Sequence, residues 1–318
     1  MAVAFAAALC YALAAALQQR QAERAAAGAA AGAGSVLAML AGLVRRPIWL
    51  FGFAVGGLGI ALHAVALRWA PLALVQPVGV SALLFAVPLG AALRRRRPAG
   101  RELVAAGMVA AGLVGVLVTL HPVPRPPHAT GAQLAALVTV AATGLAISVA
   151  VAAALTGTAR LLVLAVAAGG SFGLTAALVR VIVHQVAHAG VAGLLSPLFA
   201  LVAGTASTGL LLEQAAYASG SLTLSLAVIT IADPIAAVTT GVLWLDQPVH
   251  AALPILTTVA SLVAAAGVGA LARERRSVAP SPVPTRAQPA ARRPGRNPAT
   301  MPTQDRSPRM ATGARDAA

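Results

Sequence analysis

An all-α, multi-pass membrane fold is predicted by three observations. Of the 318 residues, 59% are hydrophobic and only 10% charged, and mean hydropathy is +0.85, a balance that no soluble domain of this size keeps in water. Apolar runs near 20 residues, the length that carries a helix across a bilayer core of about 30 Å, recur as far as residue 271. Arginines cluster at the ends of these runs, and loop arginines orient membrane helices.

The runs read as nine spans. The first, Ala2 to Leu17, has no basic segment before it and leads into Gln18, Gln19 and Arg20 rather than a small-residue cleavage site, so it is expected to be a retained helix. Ile48 to Leu67, Leu72 to Leu93 and Leu103 to Leu120 follow, then Ala132 to Leu155, Leu161 to Val183, Ala192 to Leu212, Leu222 to Leu245 and Ala252 to Leu271. The stretch between Arg24 and Arg45 is uncharged but mostly Ala and Gly up to Val36, and these residues promote insertion weakly. A tenth span, a re-entrant segment and a surface helix all remain open for it.

With nine spans, Arg20, Arg24, Arg45, Arg46, Arg94 to Arg97, Arg101, Arg160, Arg273, Arg275 and Arg276 fall on one side, expected to be the cytoplasm of a bacterial inner (plasma) membrane. Residues 1–272 form the membrane domain. Residues 273–318, rich in Ser, Pro, Arg and Ala, form a basic cytoplasmic tail that cannot bury a core and is expected to be disordered.

The net charge of +15 does not indicate nucleic acid, because the basic residues have no aromatic interleaving and no binding fold around them. Lone Cys10, inside an apolar run, allows neither a disulfide framework nor a thiolate metal site. There is no phosphate loop, nucleophile elbow or metalloprotease motif, so neither an intramembrane enzyme nor a cofactor is expected. The expected partners are a small-molecule or ion substrate, membrane lipids and, as an open option, a second copy in a homodimer.

Displaced by about 150 positions, the stretch opening at Ala66 overlies the one opening at Ala216. Leu72 meets Leu222, Leu74 meets Leu224, Ala82 meets Ala232, Leu93 meets Leu243 and Pro98 meets Pro248. The first copy exits onto arginines and the second onto Asp246 and Gln247. Opposite charges at equivalent ends imply opposite sides of the membrane, hence inverted halves, about 1–121 and 130–272. Inverted repeats with interrupted helices mark secondary transporters whose site lies between the halves.

Pro47 and Trp49, the glycine-rich Gly56 to Gly59, Ala70 with Pro71, and Val75, Pro77 and Gly79 occur in order along one segment; Gln214 and Tyr217 form a Gln-x-x-Tyr element in the other half. In these two patches the chain resembles the drug/metabolite transporter (EamA-like) superfamily, and its NIPA-like magnesium transporter branch in particular. The resemblance implies a helical carrier. Where that branch has an acidic residue after the glycine and an amide three positions on, this chain has Ile60 and His63. A hard divalent cation wants oxygen ligands, so a small metabolite is the expected cargo and magnesium the alternative. A non-transporting membrane scaffold acting through the tail is the third reading.

An ionisable group at the centre of a membrane helix costs about 2.5 to 3.5 kcal/mol to insert, so each one asks for a reason. Asp233 lies halfway along its span, directly before Pro234, which breaks the helix and frees carbonyls. Glu213, Gln214 and Tyr217 form a polar group near the end of their span, and His63 lies opposite Glu213 under the repeat displacement. A proton-coupled site bordered by Asp233, Glu213, Gln214, Tyr217 and His63 is expected, with helix breaks at Pro77 and Pro234. His184 and His188 share a helix face without an evident third ligand, so no metal set is assigned. Gly52, Gly56, Gly57 and Gly59 are expected to form a face for close helix approach.

Overall fold

The computed structural model describes residues 2–29, 41–69, 75, 78–122, 130–190 and 197–278. Pro77, Gln76, Ala70, Pro71, most of the uncharged stretch after Arg24 and nearly all of the tail lie outside them. Residues 1–278 form one compact unit. Its helices, numbered along the chain, are α1 (Ala2–Ala29), α2 (Pro47–Trp69), α3 (Ala82–Leu93), α4 (Gly100–Thr119), α5 (Gly131–Ala154), α6 (Gly157–Ala189), α7 (Pro197–Ala218), α8 (Leu222–Trp244) and α9 (Pro254–Val278). Seven of the described helices are long and apolar enough to cross a membrane, and Pro47–His63 and Val78–Leu93 are shorter apolar helices. This is a multi-pass helical membrane protein.

The expectation of a purely helical chain needs one correction. Strands β1 (Leu120–Pro122) and β2 (Val249–Ala251) pair antiparallel, Leu120 opposite Ala251 and His121 opposite His250. Three residues are too few for an alternating pattern to register in a sequence.

Helix ends follow ordinary capping chemistry. Thr130 and Gln133 form a reciprocal capping box on α5, and Ser221 accepts from the Leu224 amide at the start of α8. Gly190 closes α6 at φ 64°. The α8 helix continues through Pro234, so the expected break is confined to the loss of one backbone hydrogen bond; neighbouring helices make such prolines tolerable in membrane proteins.

Glycines set the closest approaches. On α2, Gly52 faces Leu17 and Gln18, Gly56 faces Ala14, and Gly59 faces Cys10 and Tyr11, while Gly57 faces nothing. As one number rises the other falls, so α1 and α2 are antiparallel and the chain leaves α1 and enters α2 at the same end of the bundle. On α4, Gly112 and Gly115 meet Ala260 and Ala264, and Gly267 of α9 meets Ala105 and Val109, again antiparallel. Gly169 and Gly173 of α6 lie on the backbone of α8 from Ile229 to Ala237, in parallel.

Side-chain ties fix the two ends. Glu23 pairs with Arg94 at 2.6 Å, Arg101 with Glu274 at 3.3 Å, and Thr223 donates to Glu102 at 2.7 Å, all at one end. At the other, β1 pairs with β2 and the Thr257 hydroxyl donates to that of Thr119 at 2.8 Å. Arg20, Arg24, Arg46, Arg94 to Arg97, Arg101, Arg160 and Arg273 all belong to the first of these, the arginine-rich end. Helix α5 stands apart: only Leu137 and Ala152 of it are buried, and Val138, Val140, Ile147 and Val149 are exposed, as suits a helix facing lipid.

Candidate functional site

The most connected polar group lies on α7 near the arginine-rich end. Gln214 is fully buried, and an amide there needs partners for its oxygen and its nitrogen. Its oxygen accepts from the Trp49 indole N–H on α2 at 3.0 Å, and its nitrogen donates to the Gln18 carbonyl of α1 at 2.7 Å. One turn on, the Tyr217 hydroxyl donates to Glu213 at 2.8 Å, with the Tyr217 side chain buried.

Further polar contacts lie along α1, which runs past the expected end of its span at Leu17. Gln18, Gln19 and Gln21 are all buried. Gln19 donates to the Gly220 carbonyl in the turn after α7 at 2.6 Å and to Glu23, and Glu23 pairs with Arg94 of α3. Gln21 accepts from Arg46 at 3.3 Å. Residues far apart in sequence are thereby joined by several satisfied polar contacts side by side, the condition under which buried polar groups specify an arrangement instead of destabilising it. The three glutamines had a legible signal: QQRQ continues a helical run with no turn residue to end it.

Asp233 occupies another level. It is the midpoint of the 23-residue α8, about 16 Å along the axis from Leu222. Glu213 is about 8 Å from the end of α7. The carboxyl of Asp233 makes no hydrogen bond or ion pair among the described residues, while its backbone lies against Gly169 and Gly173. A side chain at Gly173 would run into the Asp233 carbonyl, and a Cβ at Gly169 would stand 2.7 Å from the Ile229 oxygen. This G-x-x-x-G spacing inside an apolar run was readable as a helix-contact signal.

His63 is on a third level, toward the opposite end of α2, where its ring tilts against that of Tyr11 with centroids 6.5 Å apart. The five expected site residues are thus spread along the bundle: Glu213 and Tyr217 touch, Gln214 adjoins them in sequence but bonds to α1 and α2, and Asp233 and His63 stand apart from that group. A groove of about 700 Å³ between α5, α6 and α7, lined by Leu134, Val138, Gln185 and Leu201, includes none of the five. Among the described residues no group of three or more His, Cys, Asp or Glu is arranged to hold a metal ion.

No family model matches the chain. No solved structure matches it. The chain is similar to an uncharacterized protein of Corynebacterium glutamicum, 28% identical over 211 residues, which are 65% of this chain and 72% of that one.

Proposed function

We propose that the protein is a secondary transporter that carries a small metabolite across the bacterial plasma membrane by alternating access, built from two inverted four-helix halves, α1–α4 and α6–α9, with α5 between them. The observation that supports this best is repeated packing. Helix α1 lies antiparallel on α2 and alongside α3, and α6 lies in the same relations to α7 and α8. Helices α2 and α7 open 150 positions apart, on Pro47 and Pro197. Arg95 (φ 53°) and Asp246 (φ 49°), the non-glycine residues of positive φ among those described, each follow the C-cap residue of α3 or α8. Glu23 ties α1 to Arg94 at one end, and Arg180 of α6 donates to Gln247 beyond α8 at the other, at 3.4 Å.

Nine crossings are favoured over ten because α1 and α2 are antiparallel, so the chain between them returns to the end it left. The arginine-rich end is assigned to the cytoplasm, with the C-terminus on that side. The drug/metabolite transporter resemblance of Pro47 with Trp49 and of Gln214 with Tyr217 agrees with this architecture. Asp233, at bilayer depth and without a hydrogen bond or ion pair among the described residues, is the group assigned to substrate or proton binding, with Glu213, Gln214, Tyr217 and His63 along the path. Few acids at membrane depth favour a neutral or weakly charged cargo.

The test is uptake by purified protein in proteoliposomes, scanning small metabolites and magnesium with and without a pH gradient. Saturable metabolite flux that responds to the gradient supports the proposal. Magnesium flux alone replaces it with the cation reading, and no flux of any kind refutes it.

A further inference from the structure

The two ends of the bundle are not equivalent. At the arginine-rich end α1 packs on α7; under the proposed repeat the matching pair at the other end is α6 with α2, which makes no comparable contact among the described residues. The contact that exists is polar and saturated, Gln214 of the second half held between Trp49 and Gln18 of the first, with Gln19 on the Gly220 carbonyl beside it. The packing of α1 on α2 sets Cys10 and Tyr11 against Gly59, and the matching packing of α6 on α7 sets Phe172 against Gly209. Carried to the other half, Trp49 corresponds to Phe199 and Gln214 to Ala64; with α6 ending at Ala189 as α1 ends at Ala29, Gln18 corresponds to Leu178. None of these three can donate or accept a side-chain hydrogen bond.

We infer that Gln214, clamped by Trp49 and Gln18, is a one-sided latch that holds the carrier closed at its arginine-rich end and makes that its resting state. This rests on the transport reading for its purpose, and on the asymmetry of the amide network for its existence. Opening that end must part the first half from the second, which breaks both bonds to Gln214 and the bond from Gln19. The equivalent positions at the other end, Phe199, Ala64 and Leu178, are apolar, so closing that end rebuilds no matching clamp.

The test needs no substrate. Spin labels at Ala27→Cys and Thr156→Cys, both exposed positions of opposite halves at the arginine-rich end, in a Cys10→Ser background, report opening as a distance distribution in lipid nanodiscs. One short distance is expected with Gln214 intact. In Gln214→Leu, and in Trp49→Phe, which keeps the ring and removes only the donor, a longer distance should appear, with the population ratio shifted roughly tenfold. An unchanged distribution in Trp49→Phe, whether or not Gln214→Leu folds, overturns the latch. Metabolite uptake without a shift refutes the latch and leaves the transport reading standing; a shift without any uptake does the reverse.

Discussion

The indole N–H of Trp49 donates to the side-chain oxygen of Gln214 across 165 positions of sequence, inside the protein and at 3.0 Å. The Pro-x-Trp and Gln-x-x-Tyr elements, each readable only as a local pattern, are therefore two sides of one contact. Replacing Trp49 by Phe preserves the ring stacked on Phe53 but orphans a buried carbonyl. A loss of about 1–3 kcal/mol is expected, measurable as a lowered melting temperature of the purified protein in detergent.

Substitution of two neighbouring glycines separates helix contact from helix propensity. Gly173→Ala drives a methyl into the backbone of α8 at Asp233 and Ala237, so about 1–3 kcal/mol of destabilisation is expected from overpacking. Gly170 faces open space, so Gly170→Ala should be neutral or slightly stabilising. Equal melting temperatures for the two variants would contradict the α6–α8 contact.

Asp233→Asn keeps the shape of the side chain and removes its charge. Abolished uptake in proteoliposomes, with unaltered insertion and elution volume, is expected. A wild-type rate would remove Asp233 from the transport path.

Single cysteines in a Cys10→Ser background read the alternation of the helices. A membrane-impermeant thiol reagent added to intact cells should label His250→Cys, in β2, and should reach Arg95→Cys only after the cells are opened. Labelling of both from outside would contradict nine crossings.

The exposed ion pair of Glu23 with Arg94, whose side chains are 30% and 40% accessible, is expected to matter little by itself. Arg94→Gln should cost less than about 1 kcal/mol, and the cost should shrink further as salt is added. A melting temperature that falls as far as in Trp49→Phe would show that the pair and the amides act as one unit.

Helix positions were legible because hydrocarbon length and apolar composition are local properties: the expected run from Leu222 to Leu245 and the observed helix Leu222–Trp244 differ by one residue. The polar network was only half legible. Gln214 and Tyr217 stood out as polar residues in an apolar run, but Gln18 and Gln19 looked like the end of a span, because what buries them is α7, nearly 200 positions away. The ladder of β1 and β2 had no local signal, since its partners lie about 130 positions apart in sequence. Pro234 marked the right place and overstated the effect, because close packing by Gly169 and Gly173 supports the helix on either side of the proline.

Helix α5 buries almost nothing, yet it decides a property that packing does not control. Two copies of a four-helix unit joined by a short loop would point the same way, since an even number of crossings returns the chain to the side it left. A single added crossing reverses the second copy. In the proposed architecture α5 thus contributes parity rather than adhesion: its side chains are free to vary with the lipid around them, whereas its deletion would turn a mirrored pair into a tandem one and place Asp246 where the arginines belong.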